Sequence, residues 1–176
     1  MGAMLEPYRG NHPSVHPTAF VHTSAIVIGH VTIGEQSTVW PAVTMRGDDG
    51  SIVVGDRSSI QDGTVVHTTE GLSTATIGNQ VTVGHNVILH GCTIEDDCII
   101  GMGSIVMDNA VVERGSIVGA GTLVPMGKRV AAGTVVVGNP MRVLRDSTAK
   151  DADWIVHSWK EYVERGIEYL AARSGP

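Results

Sequence analysis

An aliphatic residue returns at every sixth position through most of this chain, beginning Val15, Val21, Val27, Ile33, Val39, Met45. After three extra residues the series resumes at Val54, Ile60, Val66, and after five more at Ile77, Val83, Leu89. One residue is then missing before it continues through Ile94, Ile100, Val106, Val112, Val118, Val124, Val130 and Val136. No polar residue takes a lead position. The fourth residue after each lead is nearly always small or β-branched, as at Ala25, Ser37, Ser58, Thr64, Cys98, Ser104 and Thr122, with Lys128 breaking the series near its end. A period of six fits neither a 3.6-residue helix nor a two-residue alternation. It fits a parallel β-helix in which each hexad is a short strand and a turn.

Three hexads make one coil, so the coils are led by 15/21/27, 33/39/45, 54/60/66, 77/83/89, 94/100/106 and 112/118/124. Successive coils stack about 4.8 Å apart and bury one another's lead residues. Only 4% of the chain is aromatic, with a single Phe, so Val and Ile must fill the interior, and 22 Gly supply turns. The expected class is all-β, a parallel β-helix over residues 11–140. Residues 1–10 read as a tail, the opening MGAM as a remnant of cloning. Residues 141–176 read as a linker and a C-terminal α-helix packed alongside. From Asp151 that helix puts Trp154, Ile155, Trp159, Tyr162, Val163, Ile167 and Leu170 largely on one face, with acid at its start and Arg173 near its end.

Met45, Val66 and Leu89 share one column, and each is followed by a polar residue: Arg46, His67, His90. Stacking one coil apart, His67 and His90 can reach a single metal, for which zinc–nitrogen bonds run about 2.0–2.1 Å. His85 belongs to the Val83 column with Gln61 and Asp62, around a corner from the other two. In a threefold assembly one face of each chain meets a different face of the next. His85 of one subunit then meets His67 and His90 of another. His12, His16, His22, His30 and His157 read as surface groups. Cys98 occupies a small inward position, Cys92 lies beside the predicted metal site, and both read as core.

The net charge of −6, the pI near 5.7 and the lack of a basic stripe argue against nucleic acid as a partner. No apolar run approaches the roughly 20 residues of a membrane span. No signal peptide is seen and two cysteines make no disulfide framework, so a cytoplasmic protein with no membrane association is expected.

The segments RGDDG (46–50), VGDRSSIQDGTVVH (54–67) and VGHNVILHG (83–91) closely resemble the γ-class carbonic anhydrase family and its bacterial relatives, over roughly residues 10 to 172. The resemblance implies a left-handed coil, against the right-handed rule for parallel crossovers, and a homotrimer. It implies zinc, with iron or cobalt as alternatives, bound by His67 and His90 of one subunit and His85 of the next, and no other cofactor. Gln61 would hydrogen-bond the metal-bound water or the substrate. Asp62 would be an acid behind the ligands, and Tyr162 a family tyrosine beside the site. Arg46 would pair across the interface with Asp48 or Asp62. The family's archaeal prototype carries a long acidic loop after its first metal histidine; here TTEGLSTAT is short. Glu70 keeps the spacing of the proton-shuttling glutamate without acidic neighbours. Asp49 stands where the prototype has glutamate, and Glu164 where it has asparagine.

The implied activity is that of a lyase: reversible hydration of CO2 to bicarbonate through a metal-bound hydroxide at the subunit interface. Glu70, Asp49 or buffer would carry the proton away. The rivals are a hexapeptide acyltransferase using CoA thioesters, a metal-dependent acyl-CoA thioesterase, and a non-catalytic trimeric scaffold.

Overall fold

In the computed structural model, which describes residues 3–174, the hexads wind into a left-handed parallel β-solenoid of about seven turns. Its strands pair in the register the period predicts. The first row runs Val15, Ile33, Val54, Ile77, Ile94, Val112, Val130. The second runs Val21, Val39, Ile60, Val83, Ile100, Val118, Val136. The third runs Val27, Met45, Val66, Leu89, Val106, Val124. From Val21 onward every lead residue is buried and joins one core. Each such side chain contributes about 1.5–3 kcal/mol by leaving water.

The small positions explain themselves at the corners. Buried Ser and Thr hydroxyls donate to carbonyls of the following coil: Ser37 to Gly55 at 2.6 Å, Ser58 to Gly78 at 2.7 Å, Thr64 to Gly84 at 2.9 Å and Ser104 to Gly119 at 3.0 Å. A polar atom thus enters the core already satisfied. The third residue after a lead takes positive φ at turn after turn, whether Gly or not, as at Gln36, Ala42, Asp97 and Gly121.

The breaks in the rhythm fall together. Register shifts between Gly29↔Gly47 and Val31↔Ile52, so residues 48–51 face the single His30. The five-residue excess leaves the third row after His67 and returns at Ala75. The short hexad moves the positive φ to Gly91, directly after His90. All three lie where the third row turns toward the first.

The helix, Ala149–Ser174, starts two residues earlier than expected. Thr148 caps it: the Asp151 carboxylate accepts from the Thr148 backbone N–H at 2.7 Å, and the Asp151 N–H donates to the Thr148 hydroxyl at 3.4 Å, a capping box. Arg145 Nη1 and Nη2 donate to the same carboxylate, holding it well below the usual range. The scarce aromatics gather beneath the helix. Phe20, Trp40 and Tyr169 meet with ring centroids 5.2–5.3 Å apart, and Tyr162 stands edge-on to Trp40 at 5.7 Å. Gly166 lies against Thr38 and Phe20, where a Cβ would not fit.

Three expectations need correction. Residues 1 and 2 of the expected tail lie outside the described residues, but Met4–Glu6 form a strand paired with Ile26–Ile28. The segment after Pro140 is not a bare linker, because Arg142–Asp146 pair antiparallel with Thr134–Val137. On the helix, Ile155, Ser158 and Gly166 are buried while Trp154 and Ile167 are exposed. The contact stripe follows small residues that let the helix approach closely. No helix among the described residues is long and apolar enough to cross a membrane.

Candidate metal centre

Arg46, His67 and His90 follow stacked lead residues and stand on successive coils, His67 directly opposite His90. The two rings meet edge to face, with His67 Nδ1 and His90 Nε2 3.2 Å apart. Their other nitrogens are each held by an aspartate. His67 Nε2 lies 3.1 Å from Asp48 Oδ1, and His90 Nδ1 lies 2.9 Å from Asp108 Oδ2. Ionised carboxylates only accept, so those outer nitrogens carry the protons. The inner nitrogens, His67 Nδ1 and His90 Nε2, face each other across that short gap, and two neutral rings so held would offer both lone pairs to one cation.

Both aspartates are ionised by their surroundings. Burial pushes Asp108 up, but hydrogen bonds from Ser73, His90 and Thr69 outweigh it, and the carboxyl sits below its ordinary range. Burial likewise raises Asp48, and Arg46 and His67 more than reverse it. Ser73 donates to Asp108 at 2.6 Å and so ties the excursion to the corner two coils further on. Gly91 lies beneath this bond, where a Cβ would collide with Ser73 Oγ and Asp108 Oδ1.

His85 is oriented in the same manner. It occupies the position of Asp62 one coil on, and its Nδ1 donates to Asp62 Oδ2 at 3.0 Å. This leaves its Nε2 outward on a half-exposed ring. Gln61, His85 and Tyr162 line one cleft of about 380 Å³ between the second row and the helix. Tyr162 has its hydroxyl pKa raised, first by burial and also by the charges of Glu161 and Asp62, against Arg165.

Within one chain the predicted residues thus form two groups: His67 and His90 with Arg46, Asp48 and Asp49, and His85 with Gln61, Asp62 and Tyr162. Among the described residues, Asp48, Asp49 and His67 bring donor atoms within 4.8 Å of one another, and His85 joins no such group of three. Within the chain Arg46 Nη1 donates to Asp48 Oδ2 at 2.5 Å; its expected pairing across an interface involves a second copy of the chain. Asp62 accepts from His85 of its own chain. Glu70 is exposed on the excursion, and Asp49 Oδ2 lies 3.5 Å from His67 Nε2. Glu164 is exposed on the helix. Cys92 and Cys98 are core as expected, and burial pushes both thiols up to about 12.

Sequence reasoning missed Asp108 and Ser73. Asp108 was findable, since it follows Val106 by two, one coil beyond His90 in the same row. Ser73 carries no such signal, because it lies in an excursion outside the period.

Comparison with known proteins agrees with the architecture. A family model described as "Bacterial transferase hexapeptide (six repeats)" matches residues 91–125. Protein YrdA of Escherichia coli K12 is 39% identical over 97% of this chain and 96% of its own length. The carbonic anhydrase of Geobacillus kaustophilus is 40% identical, covering 96% and 92%. A Bacillus cereus crystal structure, provisionally described as an acetyltransferase, superposes with a TM-score of 0.95 at 37% identity, covering 98% of this chain and 99% of that one. By fold, repeat and these relatives, the chain belongs to the γ-class carbonic anhydrase-like family of hexapeptide-repeat proteins.

Proposed function

We propose that this protein hydrates CO2 reversibly to bicarbonate, using zinc, or iron or cobalt in its place, held between adjacent subunits of a homotrimer. His67 and His90 of one subunit and His85 of the next would hold the metal. The observation that carries this reading is the meeting of two imidazole nitrogens 3.2 Å apart, each ring fixed from behind by an aspartate. Two nitrogens on a tetrahedral zinc at 2.0–2.1 Å stand about 3.3 Å apart, so this donor pair fits the ion. Aspartate behind a ligating histidine fixes its tautomer and raises its basicity, and His85 has the same backing from Asp62.

A second copy of the chain is supported by the exposed aliphatic row Val65, Ile88 and Ile105, which stands two residues before His67, His90 and Met107 in the sequence. A stacked apolar row on an outer face marks a surface that another molecule covers.

When bound, the metal supplies Lewis acidity that makes water a nucleophile at neutral pH. Gln61, buried at the mouth of the cleft beside His85, orients the reactants by hydrogen bonding. Asp49, exposed and next to His67, takes the released proton at its carboxylate and passes it to solvent, with Glu70 as the other acid within the excursion. Arg46 keeps Asp48 ionised and so keeps His67 in the ligating tautomer. A soluble location in the cytoplasm suits this chemistry.

Elemental analysis with native mass, followed by stopped-flow CO2 hydration, tests the reading. It requires about one metal per chain in a trimer and hydration that disappears in His85→Ala. A trimer that takes up no metal sinks it. The acyltransferase reading draws support from the transferase description of the repeat and of the Bacillus cereus relative. Acetyl-CoA turnover that persists after chelation would favour that reading instead.

A further inference from the structure

The cleft ending at His85 is larger than CO2 needs. Its volume of about 380 Å³ falls within the roughly 300–1,000 Å³ of small-molecule sites. Ile99, Ile100, Met102, Ala120 and Trp154 line it, and Met102 and Trp154 remain 57% and 58% exposed. Thr82 also lines it, only 6% exposed, and its hydroxyl is buried with no hydrogen-bond partner. Its row-mates Thr38 and Ser59 differ, since both accept from Trp40 Nε1, at 3.0 and 3.1 Å. A buried hydroxyl left without a partner is costly, and a rotation of the Thr82 side chain toward the cleft would let a ligand's polar group satisfy it. The one charged lining residue, Glu161, is paired with Arg165, and no Lys or Arg lines the cleft.

We infer that this cleft binds an uncharged organic molecule larger than CO2, with an aryl or branched alkyl body and one amide or hydroxyl group that hydrogen-bonds Thr82. The inference rests on the function proposed above only in placing the mouth of the cleft at the metal site. The apolar body lies along Ile99, Ala120 and Trp154, away from the metal at the mouth, where no Lys or Arg stands to hold an anion.

Benzamide is a suitable probe, titrated into the metal-loaded protein and followed by tryptophan fluorescence and amide NMR shifts. Saturable binding with Kd on the order of millimolar is expected for so small a ligand. Thr82→Val should weaken it roughly three- to tenfold, Ala120→Leu should remove it by filling the cleft, and benzoate, compared with benzamide on protein stripped of metal by a chelator, should bind at least about tenfold more weakly. Absence of saturation, indifference to both substitutions, or benzoate binding as tightly as benzamide would overturn the inference. Metal content and CO2 hydration on the same preparations keep the two readings apart. Benzamide binding that behaves as described in a protein without metal or hydration upholds the cleft and sinks the function. The reverse combination overturns the cleft alone.

Discussion

The coils from Ile94 to Val136 keep the six-residue step without interruption, whereas those from Met45 to Ile94 break it three times. Both regions stack the same rows and bury the same kinds of lead residue. They differ at one corner. There the broken region places Asp48, Asp49, His67, Ser73, His90 and Gly91, while the regular coils add only Asp108. A repeat that only has to fill its interior has no reason to change length, so the breaks mark where backbone was bent to aim side chains. His85, Gln61 and Asp62 qualify this lesson, since their hexads are unbroken and only their polarity sets them apart.

The largest contrast is expected from the ligands. His67→Ala, His90→Ala and His85→Ala should each abolish metal binding while leaving the far-ultraviolet circular dichroism of the solenoid unchanged; full metal occupancy in any of the three would remove that residue from the site. Asp108→Asn should weaken metal affinity by about 10–100-fold with the fold retained, read by competition with a chelator. An affinity equal to that of the parent would mean that His90 needs no support. Next comes a matched pair of glycines. Gly121→Ala, in a regular turn with open space around it, should cost about 1 kcal/mol, since Ala42 already takes a similar φ. Gly91→Ala should cost about 3 kcal/mol and also loosen metal binding, because it displaces the Ser73–Asp108 bond. Equal losses in denaturant melts would erase the distinction between the two regions. The smallest contrast concerns the thiols. Cys92 beside the site and Cys98 in the core are both raised to about 12, so neither should react with a thiol reagent at pH 8 until the protein unfolds; selective labelling of Cys92 would show the corner opening.

The rows were legible because a six-residue period allows only one phase, and each lead residue paired as that phase requires. The same stacking puts His67 opposite His90. It also would have brought Asp108 to His90, had polar residues two after the lead been stacked as well. Other features lay beyond periodicity. Met4–Glu6 add an edge strand with no hexad of their own. The in-chain bond from Arg46 to Asp48, two residues along, depends on the bulge at 48–51. On the helix, apolar bulk alone does not mark the buried face: Ile155, Ser158 and Gly166 are buried, whereas Trp154 and Ile167 are exposed.

The central claim is that one site draws on two chains, and subunit mixing tests it most directly. His85→Ala and His67→Ala chains, each metal-free alone, would be unfolded together and reassembled in equal amounts. In a trimer assembled at random, about one interface in four joins an intact His67–His90 pair to an intact His85. Recovery of metal and CO2 hydration at roughly a quarter of the parent level is the predicted result. Mixed trimers as empty as either parent would contradict the account.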